Sequence, residues 1–194
     1  MAYASALGAD AARHGGSTPL LGTLENKMRI GIIGPNFTPH LDPKELNERK
    51  AKLSLLAKDL AVSGFEILLT PDQDSLLEFI GNEFIRNGGR KIYEIVPLDD
   101  DYENYLNTEL GETISCDKWA NQPAKFNEEC DVMFCVGYGG MVMAEIGFSG
   151  YFNPKTVYII KDFISAELPK EIEPRLNIEY VGLEDIKEIL KGLE

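Results

Sequence analysis

The chain has 194 residues, 44% of them hydrophobic and 26% charged, which is enough apolar content to fill the core of one globular domain. Its 19 Lys and Arg against 32 Asp and Glu give a formal net charge of -13, so a general binder of the nucleic-acid backbone is excluded. No apolar run approaches the ~20 residues of a membrane-spanning helix, so no membrane partner is expected.

Residues 1–27 are rich in Ala, Gly and Ser and hold no sustained apolar period. They lack the apolar core of a secretory signal and the Arg-rich character of a transit peptide. They read as a disordered leader or an appended, non-native segment. A single domain is then expected over 28–194, with Met28 as its natural start. The three cysteines, Cys116, Cys130 and Cys135, are odd in number and have no metal-ligand spacing, which fits a reducing cytoplasm. With only His14 and His40 present, a histidine metal site is not expected.

The domain opens with an apolar strand, Arg29 to Gly34, closed by the breakers Gly34-Pro35-Asn36. Asp42-Pro43-Lys44-Glu45 carries a helix start: Asp as N-cap, Pro at the first helical position and Glu at the capping-box position. Leu46, Leu53, Leu56 and Leu60 then recur on one side until Gly64. Phe65 to Leu69 is a second strand. Thr70-Pro71-Asp72-Gln73 reads as a second capping box, before a helix that buries Leu76, Leu77, Ile80 and Phe84. Lys91 to Val96 is a third strand. From Glu94 to Asp117 the chain carries acids and no Lys or Arg, which reads as a solvated excursion long enough to serve as a lid or a contact between copies.

A short helix over Pro123 to Cys130 leads into an apolar run, Val132 to Val136, with the look of a buried parallel strand. Thr156 to Ile160 and Asn177 to Val181 follow as strands, the latter at an edge, and Leu183 to Leu190 as a closing amphipathic helix. Strands that alternate with helices across short connections imply right-handed parallel crossovers. The expected fold is therefore α/β: a three-layer Rossmann-like domain with a mostly parallel sheet of about five to six strands. Ligands of such sheets bind at the carboxyl ends of the strands. That rule selects Gly34, Pro35 and Asn36, Asp72 with Asp74 close by, Asp99, and the turn Gly137-Tyr138-Gly139-Gly140 as candidate ligand-binding residues.

One residue breaks the pattern. The run Met141 to Phe148 is apolar almost all round, yet it contains Glu145. A carboxylate on a buried helix costs several kcal/mol unless it is paired, hydrogen-bonded or facing a cavity. An ion pair with a lysine would account for it. So would a functional carboxylate beside the glycine turn.

The order of elements resembles the Rossmann-type superfamily that includes the LOG ("lysine-decarboxylase-like") phosphoribohydrolases and DprA. It is similar also to the nucleoside 2-deoxyribosyltransferases. Asp131 opens the strand as in LOG proteins, and Gly139 and Glu145 fall at positions of their GGxGTxxE motif. Glu145-Ile146-Gly147-Phe148 is similar to the Glu-Ile-Gly-Tyr stretch whose Glu is the nucleophile of the deoxyribosyltransferases. The Gly-Thr step of the LOG motif is Met141-Val142 here, and the helix that carries their catalytic Arg offers Lys125.

The resemblance implies a nucleoside or nucleotide ligand, cleavage or transfer of an N-glycosidic bond with Glu145 as the catalytic carboxylate, and a homodimer. The alternative it leaves open is a non-catalytic nucleotide-sensing protein of the same fold. No cofactor and no protein-bound metal are expected, beyond Mg²⁺ accompanying a phosphate. The partial dinucleotide fingerprint Gly137-x-Gly139-x-x-Val142 lacks a ribose-binding acid at the expected distance, which disfavours NAD.

Overall fold

The structure, a computed structural model, describes residues 28–36, 38, 41–151 and 154–194. The leader read over 1–27 lies outside the described residues. Short apolar runs bounded by Gly, Pro or Asp become strands β1 (Arg29–Ile33), β2 (Glu66–Leu69), β3 (Ile92–Val96), β4 (Glu112–Ser115), β5 (Val132–Cys135), β6 (Thr156–Ile160) and β7 (Asn177–Val181). They form one sheet in the order β4-β3-β2-β1-β5-β6-β7, and every neighbouring pair is parallel. The sheet thus has seven strands, not five or six. The extra one, β4, lies inside the acidic excursion. Its residues Glu-Thr-Ile-Ser are exposed or half-buried at the sheet edge, so no apolar run announces it.

The helices are α1 (Pro43–Ser63), α2 (Leu76–Arg86), α3 (Gln122–Glu129), α4 (Gly140–Phe148) and α5 (Ile186–Leu193). Helices α1, α2 and α5 cover one face of the sheet, where Leu53, Leu56, Leu60, Ile80, Phe84 and Ile186 pack on Ile30, Ile32 and Ile67. Helices α3 and α4 cover the other, where Phe126, Val142 and Ile146 pack on Ile33, Leu68, Met133 and Cys135. Gly31 permits this second layer to sit close, since a Cβ there would lie 2.6 Å from the Phe126 ring. The α1 start is as expected: Asp42 accepts from the Lys44 and Glu45 N–H groups at 2.8 Å each. The cap of α2 differs from expectation. It is Ser75, which accepts from Glu78 N–H, and Thr70 to Gln73 remains outside the helix.

The chain builds outward from β1 to β4, then crosses to β5 on the opposite side of β1. The switch point therefore lies between the carboxyl ends of β1 and β5, the place where open parallel sheets take ligands. Val136 N–H donates to Ile33 O at 2.8 Å and locks the two ends together. On the acidic side of the crevice, Tyr102 to Asn107 straps the end of β2. Gln73 N–H donates to Tyr105 O at 2.7 Å and Asn107 N–H to Pro71 O at 2.9 Å. The far end of this excursion is tied down by the fully buried Glu94 of β3, which accepts from Leu110 N–H at 2.9 Å.

Candidate functional site

Two loops meet at the switch point. Gly34 and Pro35 follow β1, and Gly137 to Gly140 follow β5 and open α4. Gly137 takes φ 132°, open to glycine, and a Cβ there would stand 3.0 Å from the Pro35 ring. Gly139 lies against Pro35 as well, and Gly34 against Val136. Gly140 faces open space, so the amino end of α4 is uncovered. Its first N–H groups have no partner within the helix. Asn36 is exposed in the bend beyond Pro35. Tyr138 is half-buried and its hydroxyl turns toward Tyr180 of β7.

Helix α4 carries Glu145 inward, on the face packed against α3 and the sheet. The residue is 5% exposed and has no cationic partner among the described ion pairs. Its Oε1 accepts from Gln122 Nε2 at 2.8 Å. The same Gln122 nitrogen donates to Thr70 Oγ1 at 2.9 Å, so one amide links α4 to the end of β2. Two residues beyond Thr70 stands Asp72, close enough for its charge to act on Glu145. Burial pushes the Glu145 carboxyl up to about 8. The Gln122 hydrogen bond opposes this and the Asp72 charge adds to it. Burial likewise raises Asp72 to about 6. Both carboxyls are thus biased toward their protonated forms, Glu145 the more strongly.

The fold thus gathers Asp72 with Glu145 on one side, and Gly34, Pro35, Gly137, Gly139 and Gly140 at the switch. Asp99 does not join them. It is exposed beyond β3, and its N–H donates to Asp117 O. Asp74 is exposed too, on a cleft of about 550 Å³ shared with Glu78 and Glu103. Gln122 escaped sequence reasoning, because a Gln before a Pro at a helix start is unremarkable locally, and Thr70, read as part of a capping box, instead joins Glu145 to the end of β2 through Gln122. Among the described residues no group of three or more His, Cys, Asp or Glu could hold a metal ion.

No protein-family model and no curated protein matches the chain. Solved structures do. The fold is shared with molybdenum cofactor carriers. The molybdenum cofactor binding protein of the phototrophic bacterium Rippkaea orientalis superposes with a TM-score of 0.66 at 18% identity, over 87% of this chain and 98% of that one. The Moco carrier protein of Chlamydomonas reinhardtii gives 0.64 at 15% identity, over 86% and 97%. TM1055, a structural-genomics target, gives 0.65 at 16% identity, over 85% and 99%.

At these identities the likeness establishes the three-layer parallel α/β fold. It does not single out DprA or the deoxyribosyltransferases. It also corrects the expectation that no cofactor is involved, because neighbours of this fold are named for a cofactor they bind or carry. Nothing in the residue pattern points to this, for a physical reason. An organic cofactor is held by shape, backbone amides and scattered hydrogen bonds, and those leave no ligand spacing to read.

Proposed function

We propose that this protein binds a nucleotide-like small molecule at the β1/β5 switch point, and that an organic cofactor of the molybdenum-cofactor kind is the best-supported class. The observation that carries the reading is the buried Glu145, tied to the end of β2 through Gln122 and Thr70, with half-buried Asp72 close by and no cationic partner among the described ion pairs, beside an uncovered helix start. A buried carboxyl without a cation, next to a second acid, is costly in a protein that makes no use of it.

The residues fit such a cofactor. Asp72 Oδ2 and Gln122 Oε1 are buried acceptors without a donor, as a ring bearing N–H groups requires. The amides of Gly140 and Met141 at the start of α4 suit its anionic end. The bound group would bring its own redox metal. The protein's part is to orient the ring, shield it from water and hold a proton at Glu145.

A scan of thermal stability against nucleotides and isolated molybdenum cofactor tests the reading. A ligand present at 100 times its Kd adds about 2.7 kcal/mol to the folded state, an easily read rise in Tm. The absence of a shift with every compound would sink the proposal.

Cleavage of an N-glycosidic bond is the second reading, and the Glu145 environment favours one form of it. A carboxyl raised to about 8 is protonated at neutral pH. It suits donation to a leaving base better than nucleophilic attack. Base release from a nucleotide panel that is abolished in Glu145→Gln would establish this reading over simple carriage.

A homodimer belongs to the same proposal. Met141, Ala144 and Phe148 follow one stripe of α4, and Tyr151, 74% exposed, continues it in the next turn. A helix at a surface ordinarily turns polar residues outward. The three cysteines are free and buried, in keeping with a reducing compartment.

A further inference from the structure

The recess around Glu145 is unbalanced in hydrogen-bonding terms. Gln122 uses both amide hydrogens, on Thr70 Oγ1 and Glu145 Oε1. Asn127 uses both of its own, on Pro123 O at 2.8 Å and Glu145 O at 2.9 Å. The buried amine of Lys155 is taken by the carbonyls of Asn127 and Cys130. The amide and amine donors of the recess are thus engaged, and only the Thr70 hydroxyl and the proton on Glu145 remain to be shared. The acceptors of the recess are not engaged: Asp72 Oδ2, Gln122 Oε1 and Asn127 Oδ1 are shut off from water with no partner. Buried acceptors left in this state are rare in folded proteins, and each costs desolvation without return.

No cationic side chain among the described residues resolves the imbalance. None of the described ion pairs reaches Asp72 or Glu145, and the described residues offer no metal-binding group. What the recess lacks is a donor-rich neutral edge.

Resting on the binding reading above, we infer that the ligand presents adjacent N–H groups on a planar ring, the 2-amino-4-oxo edge shared by guanine and pterin, and that Asp72 is the acceptor that selects it. Such an edge lays two parallel N–H bonds on one carboxylate, as a guanidinium does. Adenine offers one amino group beside a ring nitrogen, and that nitrogen would set an acceptor against the Asp72 charge. Sites built around a hydrogen bond reject analogues that lack the partner far more strongly than apolar pockets reject a missing methylene. Asp72 itself bridges to Leu106 of the Tyr102 to Asn107 strap, which is fixed to β2 through Gln73 and Pro71.

The test is calorimetric titration of the full chain with GMP, IMP, AMP, ribose 5-phosphate and pterin, repeated with Asp72→Asn. The variant removes an unpaired, partly buried charge, so it keeps the fold, and circular dichroism verifies this. GMP is expected to bind at least about tenfold tighter than AMP. IMP, with one of the two N–H groups, falls between them, and pterin competes with GMP. Asp72→Asn should bring GMP and AMP to within about threefold of each other. Equal binding of GMP and AMP, ribose 5-phosphate binding as tightly as GMP, or a preference unchanged in Asp72→Asn overturns this inference and leaves the binding reading intact. Binding of none of the five, together with silence toward the molybdenum cofactor, overturns both.

Discussion

Glu145 should govern how stability responds to pH. Its carboxyl lies near 4.5 in an unfolded chain and at about 8 when folded. Between those values the folded state keeps a proton that the unfolded state has released. Stability is therefore complete below the lower value and falls as pH rises through the window. Asp72, raised from 3.8 to about 6, adds to the slope at its acid end. In Glu145→Gln the proton is no longer at issue. Unfolding by urea at pH 5 and pH 8 should show the loss between the two shrinking, by an amount on the order of a few kcal/mol relative to wild type. An identical loss in the variant would mean that Glu145 is solvated.

Lys155 carries a second residue-scale prediction. It is 5% exposed, and its amine closes the carbonyls at the end of α3 in place of a C-cap. Lys155→Ala strands both carbonyls and opens a void. A loss of about 2–4 kcal/mol in chemical denaturation is expected.

Among the elements, α1 has a start that sequence chemistry alone specifies. Both halves of its capping box form, and Asp42→Ala should lower stability by about 1 kcal/mol without touching ligand binding. Helix α4 is the opposite case. Its composition showed that it would be buried and that Glu145 was out of place. Its neighbours could not be read, since the amide that holds Glu145 lies 23 residues away and also reaches Thr70, 52 residues away. The strand β4 was hidden by its edge position. Only pairing with β3, and the approach of Gly111 to the Ile92 carbonyl, make Glu112 to Ser115 a strand. An edge strand that is half-buried only at Ile114 and Ser115 has no strong period to show.

For the whole molecule, the strand order decides where a ligand can go. Two sets of strands grow from β1 in opposite directions, and the crevice between β1 and β5 is a consequence of that topology. The same topology leaves the outer stripe of α4 beside the crevice. If two copies pair across it, sedimentation of the wild type should give a dimer. Tyr151→Asp, which sets a charge in an uncharged stripe, should give a folded monomer. A wild type that sediments as a monomer at micromolar concentration removes the dimer from the proposal.

The sequence alone determined the alternation of strands and helices, the caps of α1, the inward faces of α1 and α2, and the anomaly of Glu145. These follow from local periods and local hydrogen bonds, which neighbouring residues settle among themselves. The tertiary structure alone decided the seventh strand, the place of the switch point, and the burial that, with the Asp72 charge and against the Gln122 hydrogen bond, raises the Glu145 carboxyl. Those rest on contacts between residues far apart in the chain. Their energetics depend on water being excluded from a space that does not exist until the sheet and its two helical layers have closed.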